Sequence, residues 1–176
     1  MIFDGFFGKK QDPNAGKFVR HAELASGSAA AFGPLGIVIG GLGEDELEVL
    51  SERVEGVLFG VGVTTGEIPI AVLGKEDMND CTTLANVLEQ MEQRNSVLPD
   101  EPVELSMPLV LFSGLTPMQL SAATRAVMAS GIRGGLNGQL NLPVCAAAVP
   151  KAMSKTINQL VEEITDDALF NEAPAR

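Results

Sequence analysis

The residue best placed to act as a nucleophile is Ser113, in Phe112-Ser113-Gly114-Leu115, where an apolar run ends and a helix is about to begin. A serine on a strand-to-helix turn is where a hydrolase exposes its attacking oxygen, but the Gly-x-Ser-x-Gly pattern of that turn is missing. The only histidine is His21, in the amino-terminal arm, so a Ser–His or Cys–His pair would need the arm to reach the strand end. The expectation is a hydrogen-bonded core serine and no catalytic residue. Gly40-Gly41-Leu42-Gly43 also follows a strand and opens a helix, the place where phosphate loops sit. Its spacing fits neither a dinucleotide fingerprint nor a P-loop, and Glu44, Asp45 and Glu46 would repel a phosphate there. A tight turn is the better reading.

Metal chemistry finds as little support. Glu76, Asp77, Asn79 and Asp80 form an acidic loop over residues 76–80 that could weakly hold a divalent cation, yet the order of a calcium loop and its distal glutamate are absent. A helix start rich in capping residues explains the loop as well. Cys81 and Cys145 have no second cysteine or histidine at ligand spacing, which argues against a zinc site and leaves both thiols reading as small apolar residues of a reducing compartment. Lys75 and Lys151 each follow a second strand, where an anion could be received, but a surface lysine is too common a feature to carry weight. No cofactor and no metal are expected.

The residues suited to recognition lie elsewhere. Phe3, Phe6 and Phe7, with Lys9 and Lys10, make either a short docking segment or an arm whose aromatics pack on their own domain. Arg133 and Asn137 sit in a Gly- and Asn-rich loop, residues 131–141, that is either a partner-contact loop or a helix exit with a hairpin-like turn.

The frame that must position these residues belongs to a chain of 176 residues with 45% apolar content, long enough to bury a sizeable core. Its net charge is −11, and it has no Trp or Tyr; the charge repels phosphate backbones and the missing aromatics remove stacking platforms, so nucleic acid is not an expected partner. Charge is unevenly spread. Residues 1–21 carry four cations against two carboxylates, a net of +2, which leaves −13 for the remainder. A basic arm on an acidic body could fold back onto it or meet a different partner. The longest apolar runs are too short to span a bilayer, so no transmembrane segment is expected, and no secretory signal is visible.

Along the chain, residues 35–39 read as a strand, 44–55 as a helix with Leu47, Leu50 and Val54 on one face, 57–63 as an extra edge strand and 68–73 as a second buried strand. A second helix over 81–94 carries Leu84, Val87, Leu88 and Met91 on one stripe. A Pro- and acid-rich linker follows. Residues 109–113 read as a strand buried on both faces, ahead of a helix with Thr116 as cap, Pro117 in its first turn and Gln119 completing a capping box. The small-residue run Cys145-Ala146-Ala147-Ala148 is a strand against which a helix can approach closely, and residues 165–176 read as a polar tail anchored by Leu169 and Phe170.

One offset links the two halves. Gly41-Leu42 matches Gly114-Leu115, Leu47 matches Leu120, Val54 matches Val127, and Thr83, Leu84, Leu88 and Met91 match Thr156, Ile157, Val161 and Ile164, every pair 73 residues apart. Only the second strand, Ile70 against Val144, is shifted by one. The pattern predicts an α/β fold of two tandem β-α-β-α repeats related by pseudo-two-fold symmetry and packed into one compact body. The expected divisions are an arm and linker at 1–33, a first repeat at 34–95, a linker at 96–106, a second repeat at 107–165 and a carboxyl-terminal tail at 166–176.

At Phe112-Ser113-Gly114-Leu115, Gly131-Ile132, Ala146-Ala147-Ala148-Val149-Pro150 and Leu160-Val161-Glu162-Glu163-Ile164, the second half is similar to a small α/β domain of unknown function found in plants and bacteria. A first copy of that domain ahead of it, with a Phe-Phe-Gly-Lys-Lys arm, resembles green-lineage plastid accessory factors for photosystem I accumulation. The resemblance covers roughly residues 34–165. It implies a non-enzymatic assembly or stability factor acting by protein–protein contact at the stromal face of the thylakoid, in the chloroplast, with assembly factors or stromal-side photosystem I subunits as partners and peripheral association with the membrane. A transit peptide removed beforehand would not be seen in the sequence. The alternative is a small-molecule-binding or enzymatic α/β domain with its pocket between the repeats, at the carboxyl ends of the strands.

Overall fold

The structure, a computed structural model, describes residues 31–64, 66–133 and 142–172. The apolar runs form four strands: β1 (Gly36–Gly40), β2 (Ile70–Val72), β3 (Leu109–Ser113) and β4 (Val144–Ala147). They share one sheet in the order β2-β1-β3-β4. β1 runs parallel to β2 and β3 parallel to β4, while the central pair, β1 and β3, is antiparallel. Among the described residues five α-helices surround the sheet: α1 (Glu44–Gly60), α2 (Leu84–Glu89), α3 (Met91–Arg94), α4 (Pro117–Ala129) and α5 (Ile157–Glu172). The α/β class expected from the sequence is the one observed.

Strand alternation sorts the core into two layers. Ile37, Ile39, Val110, Phe112, Cys145 and Ala147 face α1 and α4 and pack with Leu50, Val54, Leu58, Leu120 and Val127. Val38, Ala71, Leu109, Leu111, Val144 and Ala146 face the other way, onto Leu84, Leu88 and Met91 of the short helices and Leu160 and Ile164 of α5. A sheet covered on both faces has no need of polar alternation, which is why β1, β3 and β4 are buried along their whole length.

Several boundaries differ from those expected. Residues 57–60 are not a strand but the last turn of α1, because Leu58 continues the Leu50, Val54 stripe at i+4 and is fully buried. The helix expected over 81–94 begins only at Leu84, capped by Thr83, and is interrupted at Gln90. Residues 165–172 are not a tail but the end of α5: Ala168 lies one turn beyond Ile164 and is buried, whereas Leu169 and Phe170 are 55% and 81% exposed and anchor nothing. Cys81 is exposed, so only Cys145 behaves as a core residue.

The segment joining the halves lies against the sheet. Lys75 and Val103 donate their backbone N–H groups to Glu101 and Leu73 respectively, both within 3.1 Å, and Val103 is buried. At the centre of the sheet Val38 faces Leu111, Gly36 faces Ser113 and Gly40 faces Leu109. Away from the sheet, Thr83 and Thr156 form a bridge: Leu84 N–H donates to Lys155 and Ile157 N–H donates to Thr82, at 3.0 and 2.9 Å. Ile70 pairs with Ile37 whereas Cys145, not Val144, pairs with Val110. Counted from the 73-residue offset in the sequence, Cys145 stands two positions beyond the match to Ile70. Two is the shift that parity requires, since a shift of one would turn every β4 side chain to the wrong face.

Candidate functional site

The two turns that could have held chemistry are closed by the chain's own groups. After β1, Gly41 takes a φ of +79° and the Glu46 carboxylate accepts the Gly43 N–H at 2.8 Å. A donor that an anion would need is thus taken by an acidic side chain. Arg133 completes the closure, its guanidinium donating to Glu46 Oε1 at 2.9 Å and to the Gly41 carbonyl at 2.9 Å. The hydrogen bond from Arg133 is the main reason that the Glu46 carboxyl titrates below its ordinary range, with burial opposing it and the Gly43 N–H and the Arg133 charge adding to it. Arg133 is thereby held by its own body.

After β3, Thr116 Oγ1 accepts the Gln119 N–H and the Gln119 side chain accepts the Thr116 N–H, the capping box expected from the sequence. Ser113 is 1% exposed, but its hydroxyl has no hydrogen-bond partner among the described residues, contrary to the expected bonded core serine. It faces the backbone around Gly33, since a Cβ placed on Gly33 would stand 2.5 Å from Ser113 Oγ. On β4, burial pushes the Cys145 thiol up to about 12, against a smaller opposing hydrogen bond with Thr124, so this thiol stays protonated and unreactive at neutral pH.

The acidic loop is also turned inward. Asp77 is 1% exposed and receives both Arg94 guanidinium nitrogens, at 2.9 and 2.8 Å, together with the Gly74 N–H at 3.0 Å. Asn79 caps its own turn by accepting the N–H groups of Cys81 and Thr82, both at 2.7 Å. Lys75 pairs with Glu101 at 2.9 Å. Among the described residues no group of three or more His, Cys, Asp or Glu side chains is arranged to hold a metal ion, and no helix is long and apolar enough to cross a membrane. Phe3, Phe6, Phe7, Lys9, Lys10 and Asn137, and His21 with them, lie outside the described residues.

Among the described residues a groove that sequence reasoning missed is open. It runs between α1 and the edge strand β2, with a volume of about 550 Å³. Glu44, Glu48, Glu55 and Glu67 line it, with no lysine or arginine among the described lining residues. Its apolar parts are Leu47, Ile68, Ile70 and the segment after α3, where Val97 and Leu98 are 58% and 47% exposed. A smaller depression of about 280 Å³ continues it, sharing Glu55, Glu67 and Ile68 and ending at Phe59, 73% exposed. The two together make a stripe of apolar surface edged by carboxylates. Burial, and then the charge of Glu67, push the Glu55 carboxyl up, against a hydrogen bond from the Ile68 backbone. Like charges held close together are costly, and a cation placed between them would relieve the cost. The exposed sheet edge itself is blunted, because the outward Ile70 N–H is taken by Asn95 Oδ1 at 3.0 Å.

The signal for this groove was present only in part. Glu44 and Glu48 are one helical turn apart and Glu55 lies two further turns along. Glu67 and residues 97–98 join them only through the fold, so nothing in the spacing announced the site. Compared with protein-family models, with curated proteins and with solved structures, the chain matches none of them.

Proposed function

We propose that this protein is a non-enzymatic assembly or stability factor that works by holding other proteins, and that the α1/β2 groove is where a basic, apolar-bearing partner segment is received. The observation that carries this reading is the groove's composition. Exposed apolar groups supply contact area, and four carboxylates that form no ion pair among the described residues set the sign of the partner. The turns where a nucleophile or phosphate would sit are, by contrast, packed or capped by the chain itself. The setting comes from the resemblance stated above: photosystem I biogenesis at the stromal thylakoid face, with assembly factors or stromal-side subunits as partners.

The scaffold behind this groove is, in the same proposal, a tandem duplication related by a pseudo-two-fold axis. Val38 facing Leu111 and Thr83 facing Thr156 support it, since each residue meets the one 73 positions on. So do the exchanged pairs Gly36 with Ser113 and Gly40 with Leu109, which a two-fold axis through the Val38–Leu111 pair would produce.

The test is capture from stromal and thylakoid extracts with the native chain and with a Glu48→Lys/Glu67→Lys variant, whose substitutions lie on exposed positions outside the core. The native chain is expected to retain partners that high salt releases, and the variant to lose them while unfolding at the same temperature. Identical capture by both proteins, or capture indifferent to salt, overturns the reading. Disrupting the gene is expected to lower photosystem I accumulation with photosystem II unchanged.

A further inference from the structure

We infer that the segment received by the α1/β2 groove is a basic amphipathic helix of about four turns, laid along α1 with its cations toward Glu44, Glu48 and Glu55. The inference rests on the groove being the binding site proposed above and names the form of the partner it takes. Spacing is the first argument. Glu44, Glu48, Ser51 and Glu55 stand at i, i+4, i+7 and i+11 of α1, so they form one straight stripe along that wall. Phe59, one turn further, continues it into the smaller depression. At 1.5 Å per residue the stripe runs about 22 Å from Glu44 to Phe59, the length of roughly fifteen helical residues. A helix packed nearly in line with α1 repeats its side chains at the same period, so cations at its own i, i+4 and i+11 meet all three carboxylates. An extended segment advances about 3.3 Å per residue, which puts the same carboxylates opposite its residues i, i+2 and i+5. The last of these points to the other face of a strand.

The sheet edge is the second argument. An extended partner could instead join β2 as a further strand. The Ile70 N–H is already held by Asn95 Oδ1 at 3.0 Å, and four residues on Gly74 is bridged to Pro102. Beside that bridge Lys75 N–H donates to the Glu101 carbonyl. A partner strand would find only the short stretch between them. Residues 95–98 are therefore the second wall of the groove, where Val97 and Leu98 are exposed to a side chain entering from above. A four-turn cylinder about 10 Å across fills roughly 1,700 Å³. The groove offers about 550 Å³, so one face of the helix enters and the other stays in water. An amphipathic helix meets that division.

Glycine is the third. Gly56 lies inside α1, is exposed and lines the depression beside Phe59. Nothing among the described residues comes within 4 Å of a Cβ built there, and Gly60, one turn on, is as open. A glycine in a helix interior weakens it relative to alanine, and no contact inside this body calls for one at 56. Open glycines one turn apart on a helix face let the backbone of a second helix approach closely.

Two fluorescent peptides of about fifteen residues test the inference, with binding to the full chain read by anisotropy. The first carries leucines on the same helical face as lysines at its first, fifth and twelfth positions. The second is the same peptide with proline at its centre, which keeps every charge and breaks the helix. The first is expected to bind, less tightly as salt is raised, and the second about a hundredfold more weakly. Gly56→Leu favours α1 by helix propensity, so that variant is expected to melt no lower than the native chain. It is nevertheless expected to bind the first peptide about tenfold more weakly, because its side chain fills the space where the partner backbone approaches. No binding of the helical peptide, equal binding of the two peptides, or undiminished binding by the folded Gly56→Leu chain each overturn the inference. Helix-selective binding by a chain that captures nothing from extracts would leave this inference standing and sink the proposed function. Salt-sensitive capture without helix selectivity would do the reverse.

Discussion

Asp77 is the one buried charged side chain among the described residues, and its partner is Arg94. The carboxylate is buried, the guanidinium side chain is 23% exposed, and the two meet bidentately 17 residues apart in sequence. Hydrogen bonding to Asp77 holds the Arg94 guanidinium charged more firmly than usual, despite its partial burial. Such a pair is worth little against an apolar replacement of equal volume, but breaking it leaves a charge without its partner. Asp77→Ala is therefore expected to cost about 3 kcal/mol in urea denaturation. Asp77→Leu combined with Arg94→Met is expected to recover most of that loss. If the double variant is as unstable as the single one, the pair is holding the 3-10 turn Lys75–Met78 by geometry rather than by charge. None of this was legible in the sequence, where Asp77 was one of four acidic or amide residues in a loop. The Thr116, Pro117, Gln119 signal was legible in full, because a capping box closes within four residues and needs nothing from the rest of the fold. Contacts such as Arg133 with Glu46, 87 residues apart, exist only once the sheet has brought two loops together.

The elements depend on two glycines that end strands at corresponding places. Gly114 has a φ of +72°, and a Cβ there would lie 2.6 Å from the Leu35 Cα and backbone nitrogen. Gly41 has a φ of +79°, and its Cβ would lie 2.9 Å from the Leu105 Cβ and 3.3 Å from the Pro108 Cα. Each strand-to-helix turn therefore packs on the chain entering the neighbouring strand, and both the backbone conformation and the space require glycine. Gly131 provides the control, with a φ of +75° and nothing within 4 Å of its Cβ position. Gly131→Ala pays for conformation alone, about 1 kcal/mol. Gly114→Ala adds a clash with backbone that cannot rotate away, and the total is expected near 3 kcal/mol. Equal losses for the two variants in guanidinium titrations would mean that the Leu35 backbone yields. At this scale the sequence was readable where a single period ran unbroken, as in α1 and α4. It misled at 57–63, where apolar residues after the expected end of the helix read as a strand. The buried Leu58 showed them to be one more turn of the same face.

At the scale of the molecule, neither half has a core of its own. The layer beneath α1 and α4 joins Ile37, Leu50 and Val54 to Val110, Phe112 and Leu120; the opposite layer joins Val38, Leu84 and Met91 to Leu111, Leu160 and Ile164. The antiparallel β1–β3 ladder between the halves was not legible, because two strands buried on both faces are apolar throughout and carry no mark of direction. Its consequence can be tested by dividing the chain between Pro99 and Asp100, in the segment before Val103 returns to the sheet. Each fragment would then carry a two-stranded parallel sheet with one long edge stripped of its ladder and both helical layers half exposed. A sheet of that size is not expected to hold its structure in water. Each fragment alone should give no cooperative thermal transition, and the two refolded together should recover helical circular dichroism and one transition. A fragment that melts cooperatively by itself would show that a half can close its own core. The fused pair would then be two domains in contact rather than one body, and the groove of α1 and β2 would have to be treated as the property of the first half alone.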